Sequence, residues 1–139
     1  MDSLVAEWIS FSDTDLKVAR HMYDTMHPRP LEIICYHCQQ SAEKILKAFL
    51  IYSKVKPART HDLEELRKEC KVLNESFTTI TDKCANLNDY SSQPRYPFEI
   101  EITEGDAIRA LKDCEDICAF VKALINHPPP GDHPSRGGE

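Results

Sequence analysis

Glycine is nearly missing from the body of this chain: of 4 glycines in 139 residues, only Gly105 precedes position 131. The 9 prolines all fall between apolar patterns of helical spacing, at Pro28 and Pro30, Pro57, Pro94 and Pro97, and from Pro128 onward. Proline removes an amide donor and clashes with the preceding turn, so these are joints between helices, and the chain reads as all-α. No apolar run approaches the roughly 18 residues that span a bilayer, which excludes a membrane helix. The start, Met1-Asp2-Ser3-Leu4-Val5-Ala6-Glu7, has neither a basic n-region nor an unbroken apolar stretch. No secretion signal is therefore expected, and the expected compartment is the cytoplasm. Positive charge is also scarce, with 17 Lys and Arg against 23 Asp and Glu and a net charge of −6. That balance weakens long-range attraction to nucleic acid and argues against a broad RNA-coating surface.

A hydrophobic fraction of 41% and a charged fraction of 29% are ordinary for a globular protein. The length suits one domain, expected over residues 1–126, followed by a Pro- and Gly-rich tail over 127–139 that cannot build a core and is expected to be disordered. The 6 cysteines include Cys35-x-x-Cys38 and Cys114-x-x-x-Cys118, but both pairs lie inside helical patterns without a turn residue beside them. They read as core-facing thiols, and no metal or cofactor is expected.

Periodicity predicts four to five helices in an up-and-down bundle. The first runs from Ser3 to Met26, burying Leu4, Trp8, Phe11, Val18, Met22 and Met26 and widened by Val5, Ile9, Leu16, Ala19 and Tyr23, with a weak spot at Ser12–Asp15. The second runs from Leu31 to Lys54 with Pro30 at its first turn. A third starts at Thr60 or Asp62, where Glu65 is placed to close a capping box with Asp62. A fourth covers Ser76 to Tyr90. An irregular connection over 91–102 carries Arg95 and Tyr96 at its centre, and Thr103-x-x-Asp106 opens a last helix ending near Asn126.

On the second helix, His37, Gln40, Lys44 and Lys47 share one stripe (i, i+3, i+7, i+10), while Ile34, Cys38, Ala42, Ile45, Leu46 and Phe49 take the other side. Lys44, Lys47, Lys54, Lys56 and Arg59 form a local basic patch opposed only by Glu43. Beside it stand His61 and the start of the third helix, whose free N–H groups would suit a phosphate. These residues, with Asp62, Arg95 and Tyr96, are the candidate nucleotide- or partner-binding set. Plainer roles exist for each: His37 could bond a neighbouring helix, Gln40 could bridge two helices, Asp62 could serve only as a cap, and Arg95 could pair with Asp89 or Glu99.

Together, His37-x-x-Gln40-x-x-x-Lys44 on the second helix, Thr60-His61-Asp62 opening the third, and Arg95-Tyr96-Pro97 before the last resemble the HEPN family (higher eukaryote and prokaryote nucleotide-binding domain). The resemblance covers roughly residues 3–126. It implies a helical bundle, a homodimer, and a role beside a small nucleotidyltransferase in a prokaryotic two-part, toxin–antitoxin-type system. Some HEPN proteins are metal-independent ribonucleases, and others resemble nucleotide-binding or scaffolding modules. The nuclease branch uses an Arg followed after four to six residues by a His near the start of the last helix. Here Arg109 is followed by Ala110-Leu111-Lys112-Asp113-Cys114-Glu115-Asp116, with no histidine. Arg20 and His27 fit the spacing elsewhere, at the end of the first helix. The reading is a binding module, with a ribonuclease toxin and a non-catalytic helical adaptor as the alternatives.

Overall fold

A computed structural model describes residues 2–91 and 101–127. Among these residues there are five α-helices and no strand: α1 (Ser3–Thr25), α2 (Leu31–Tyr52), α3 (Leu63–Leu73), α4 (Thr81–Asn88) and α5 (Glu104–Asn126). A 3₁₀ turn, Glu75–Ile80, leads into α4. This is the all-α bundle that the proline spacing predicts. Arg95 and Tyr96, and the tail from residue 128, lie outside the described residues.

α2 is the central member and packs against all four other helices. Its expected apolar face, Ile34, Cys38, Ala42, Ile45, Leu46 and Phe49, is buried. Phe77 of the 3₁₀ turn ties that face to α5, with ring centroids 4.7 Å from Phe49 and 5.1 Å from Phe120. All six cysteines are free and buried, as core-facing thiols should be.

α1 meets α2 at a close crossing. Ser12 Oγ donates to the Ser41 carbonyl at 2.8 Å, and Ser41 Oγ donates back to the Ser12 carbonyl at 2.8 Å. Small side chains around this point, Ala19, Cys38 and Ala42, let the backbones approach. The expected weak spot at Ser12–Asp15 is thus the contact itself, inside an unbroken helix. The same crossing narrows the expected face of α1: Val5 and Ala19 are buried and Trp8, Ile9, Leu16, Met22 and Tyr23 pack against the core as expected, but four expected members do not. Leu4, Phe11, Val18 and Met26 are 46%, 47%, 36% and 49% exposed, because the narrow ridge of Val5, Ser12 and Ala19 is the one that fits against α2.

Local chemistry sets the helix ends. The box closing Thr103 with Asp106 forms as expected. At α3, Asp62 Oδ1 accepts from the Glu64 and Glu65 amides, but the Asp62 amide donates to Thr60 Oγ1 at 3.0 Å, so Thr60 takes the part expected of Glu65. The expected single helix over 76–90 divides: Asn74 Oδ1 accepts from the Ser76 amide, and Thr79 and Thr81 hydroxyls donate to the Ser76 and Thr78 carbonyls. Such bonds compete with the α-helical ladder and tighten the first turns. α2 ends in a Schellman turn, with the Val55 amide on the Leu50 carbonyl at 2.8 Å and the Lys54 amide on that of Ile51 at 3.0 Å. Lys54 occupies the left-handed position of that turn, φ 66°, where glycine is usual.

Candidate functional site

The polar stripe of α2 exists, but it faces two buried carboxylates. Asp15 of α1 is 9% exposed and accepts from His37 Nδ1 at 2.9 Å and from Lys44 Nζ. One turn further along α2, Glu43 is 4% exposed and accepts from Lys47 Nζ at 2.9 Å, His61 Nδ1 at 3.0 Å and Gln40 Nε2 at 3.3 Å. Gln39, fully buried, donates to the His61 carbonyl at 2.9 Å and accepts from Gln40. Each carboxylate therefore holds one imidazole and one ammonium. In a buried setting both halves of such a group must be present, since either alone is a desolvated charge.

This arrangement revises the outward basic stripe. His37 bonds a neighbouring helix, Gln40 stays within α2, and Lys44 and Lys47 are neutralised from within the fold. The start of α3 is closed as well. The Leu63 amide donates to Asn88 Oδ1, the next two amides go to Asp62, and the Leu66 amide goes to the Asp62 carbonyl. Asp62 is the cap, and the free N–H groups expected there are spent. Its carboxyl is held below the usual range, chiefly by the Asn88 hydrogen bond, so it stays ionised there and would repel a phosphate.

What remains open is the loop between α2 and α3. Lys54, Lys56 and Arg59 are exposed and make no ion pair among the described residues, and the ring of His61 beside them is 73% exposed. Arg20 is engaged by Glu115 of α5, while His27 is exposed beyond the end of α1. Arg109 projects from the first turns of α5 with Asp106 at 3.9 Å. The thiols are poor nucleophiles: burial pushes Cys35 and Cys84 up to about 12. No group of three or more His, Cys, Asp or Glu among the described residues is arranged to hold a metal ion. No helix among them is long and apolar enough to cross a membrane.

Asp15 and Gln39 were not foreseen as members of the polar network. The available signal for Asp15 was its place on the small-residue ridge between Ser12 and Ala19. Gln39 carried only its adjacency to Gln40.

The family model described as HEPN domain matches residues 5–124. A protein of Methanocaldococcus jannaschii named "Putative toxin MJ1304" is 28% identical over 134 residues, covering 85% of this chain and 86% of its own length. The crystal structure of ST0689, an archaeal HEPN homologue, shares the fold with a TM-score of 0.68 at 24% identity, covering 87% of this chain and 97% of that one.

Proposed function

The chain belongs to the HEPN family, and from that premise we propose that it is the HEPN component of a cytoplasmic two-part, toxin–antitoxin-type system. In this reading it is a homodimeric binding module. Its basic loop takes the phosphate of a nucleotide or an RNA end, and its protein partner is a nucleotidyltransferase. The observation that carries the reading is the loop: Lys54, Lys56 and Arg59 are exposed and make no ion pair among the described residues, while the neighbouring Lys44 and Lys47 are consumed by Asp15 and Glu43. Free cations on a short loop attract a phosphate locally even where the whole molecule is acidic. The outward row of Leu4, Phe11, Val18 and Met26 supports a second copy packing on α1. The toxin in the name of the relative from Methanocaldococcus jannaschii supports the two-part assignment. Binding is favoured over cleavage because no histidine follows Arg109 on α5.

The test is thermal stabilisation by ATP or GTP. Replacing Lys54, Lys56 and Arg59 together by Gln removes the ligand-induced rise in melting temperature and leaves the unliganded value within a degree or two. Stabilisation that survives the triple change would overturn the phosphate reading.

One observation favours the ribonuclease alternative. Glu43 fixes His61 by Nδ1, leaving Nε2 of a largely exposed ring free to move a proton. That reading requires RNA cleavage in chelator-treated buffer that His61→Ala abolishes and His27→Ala leaves intact; cleavage unaffected by His61→Ala would discard it.

A further inference from the structure

We propose that His61 is a phosphoryl acceptor, its Nε2 taking the phosphoryl group of an acyl phosphate or a nucleoside triphosphate that the cations of the α2–α3 loop hold beside it. The inference rests on the phosphate reading of that loop and adds a covalent step to it.

An exposed side chain ordinarily changes rotamer freely, but this residue is held at both ends. Its carbonyl accepts from Nε2 of the fully buried Gln39 at 2.9 Å. Its Nδ1 lies 3.1 and 3.0 Å from the two carboxylate oxygens of the buried Glu43, while the ring remains largely exposed. Glu43 is fixed in turn, with Lys47 Nζ donating to one oxygen at 2.9 Å and Gln40 Nε2 to the other at 3.3 Å. Ammonium and amide nitrogens only donate, so Glu43 is the acceptor throughout, the ring proton sits on Nδ1 and the lone pair on Nε2. A potential nucleophile oriented by an acidic partner, itself oriented by a third group, is the arrangement that covalent catalysis uses.

The chain before His61 is folded back on itself. The Thr60 amide donates to the Ala58 carbonyl at 2.9 Å, a three-residue turn with Arg59 at its apex, and the Asp62 amide donates to Thr60 Oγ1 at 3.0 Å. Arg59 and His61 are both exposed on this compact stretch, and Lys54 and Lys56, also exposed, precede it. Asp62, next in sequence, commits Oδ1 to the α3 amides and Asn88. Guanidinium and ammonium groups hold the oxygens of a phosphoryl donor and offset the charge that develops during transfer.

In the step itself, the Nε2 lone pair attacks phosphorus and forms the P–N bond. The bond from phosphorus to the bridging oxygen breaks, and the carboxylate or nucleoside diphosphate leaves with that electron pair. The proton stays on Nδ1, so the ring becomes an imidazolium, which the Glu43 carboxylate stabilises. His21 and His27 give an internal comparison: both are exposed, and neither ring is hydrogen-bonded to a carboxylate among the described residues.

The experiment incubates the full chain with acetyl phosphate, with ATP as the nucleotide arm, and locates the acid-labile, alkali-stable label by mass spectrometry. His61 takes the label about tenfold faster than His21 or His27, and His61→Ala removes it. The donor that labels faster names the source. The Lys54, Lys56 and Arg59 triple variant labels His61 several-fold more slowly. Glu43→Gln, assayed where circular dichroism shows it folded, loses the preference for His61, and Glu43→Asp restores part of it; should neither fold, His61→Ala and the triple variant decide. His61 unlabelled by both donors, labelled no faster than His21 and His27, or labelled equally fast in the triple variant overturns the proposal. The melting-temperature shift with ATP, read on the same preparation, reports separately on the phosphate reading.

Discussion

Carboxylates gather in two regions of this molecule, and the two are balanced in opposite ways. At the α1–α2 contact, Asp15 and Glu43 are each met by a lysine and a histidine, so no charge there is left to recruit anything. Between α4 and α5, Asp89, Asp106 and Asp113 line a cleft with Arg109 as the cation. The first region is saturated and holds the fold; in the second, Arg109 is the one cation among the described residues that line the cleft. Basic residues in the sequence are therefore a poor guide to basic surface, because those closest to the core are the ones the core consumes.

The sharpest way to break this contrast is to delete a carboxylate from the saturated region. Glu43→Ala leaves Lys47 mostly buried without its partner and should cost about 3 kcal/mol of unfolding free energy in urea. A loss below about 1 kcal/mol would mean that the contact is not structural.

A smaller effect is expected at the cap of α3. Asp62→Ala should cost about 1 kcal/mol, typical of a lost N-cap. Its carboxyl titrates below its unfolded value, so the contribution is present above the ordinary carboxylate range and disappears as pH falls through the lower folded value. Stability curves of the parent and Asp62→Ala should therefore converge in strong acid and stay parallel above pH 5.

The least effect belongs to the cleft between α4 and α5. With no cation among the described residues paired to it, Asp113→Asn should change stability by less than about 0.5 kcal/mol or raise it, even though the residue is as buried as Asp15. A loss comparable to that of Glu43→Ala would erase the distinction between the two regions.

The helices were legible where one periodicity dominated. α2 alternates large apolar and polar residues so regularly that its buried side followed directly from spacing, and Thr103 with Asp106 announced the start of α5. α1 misled in part, because it carries two possible faces. The larger apolar side chains, Leu4, Phe11 and Val18, outweigh the ridge of Val5, Ser12 and Ala19 on any hydropathy count, yet only the small ridge fits a close crossing. The partners of the candidate residues were not legible. His37 and Lys44 stand 22 and 29 positions from Asp15, a separation that no local pattern reports. Asn86 and Asp113, 27 positions apart across the cleft, were invisible for the same reason.

The turn that closes α2 sets thermal robustness against positive surface charge at one position. A left-handed backbone costs a side-chain-bearing residue on the order of 1 kcal/mol relative to glycine. Lys54→Gly would thus relax the chain while deleting one of three loop cations, so that a variant selected for heat tolerance would lose part of the charge on which the proposed phosphate binding depends.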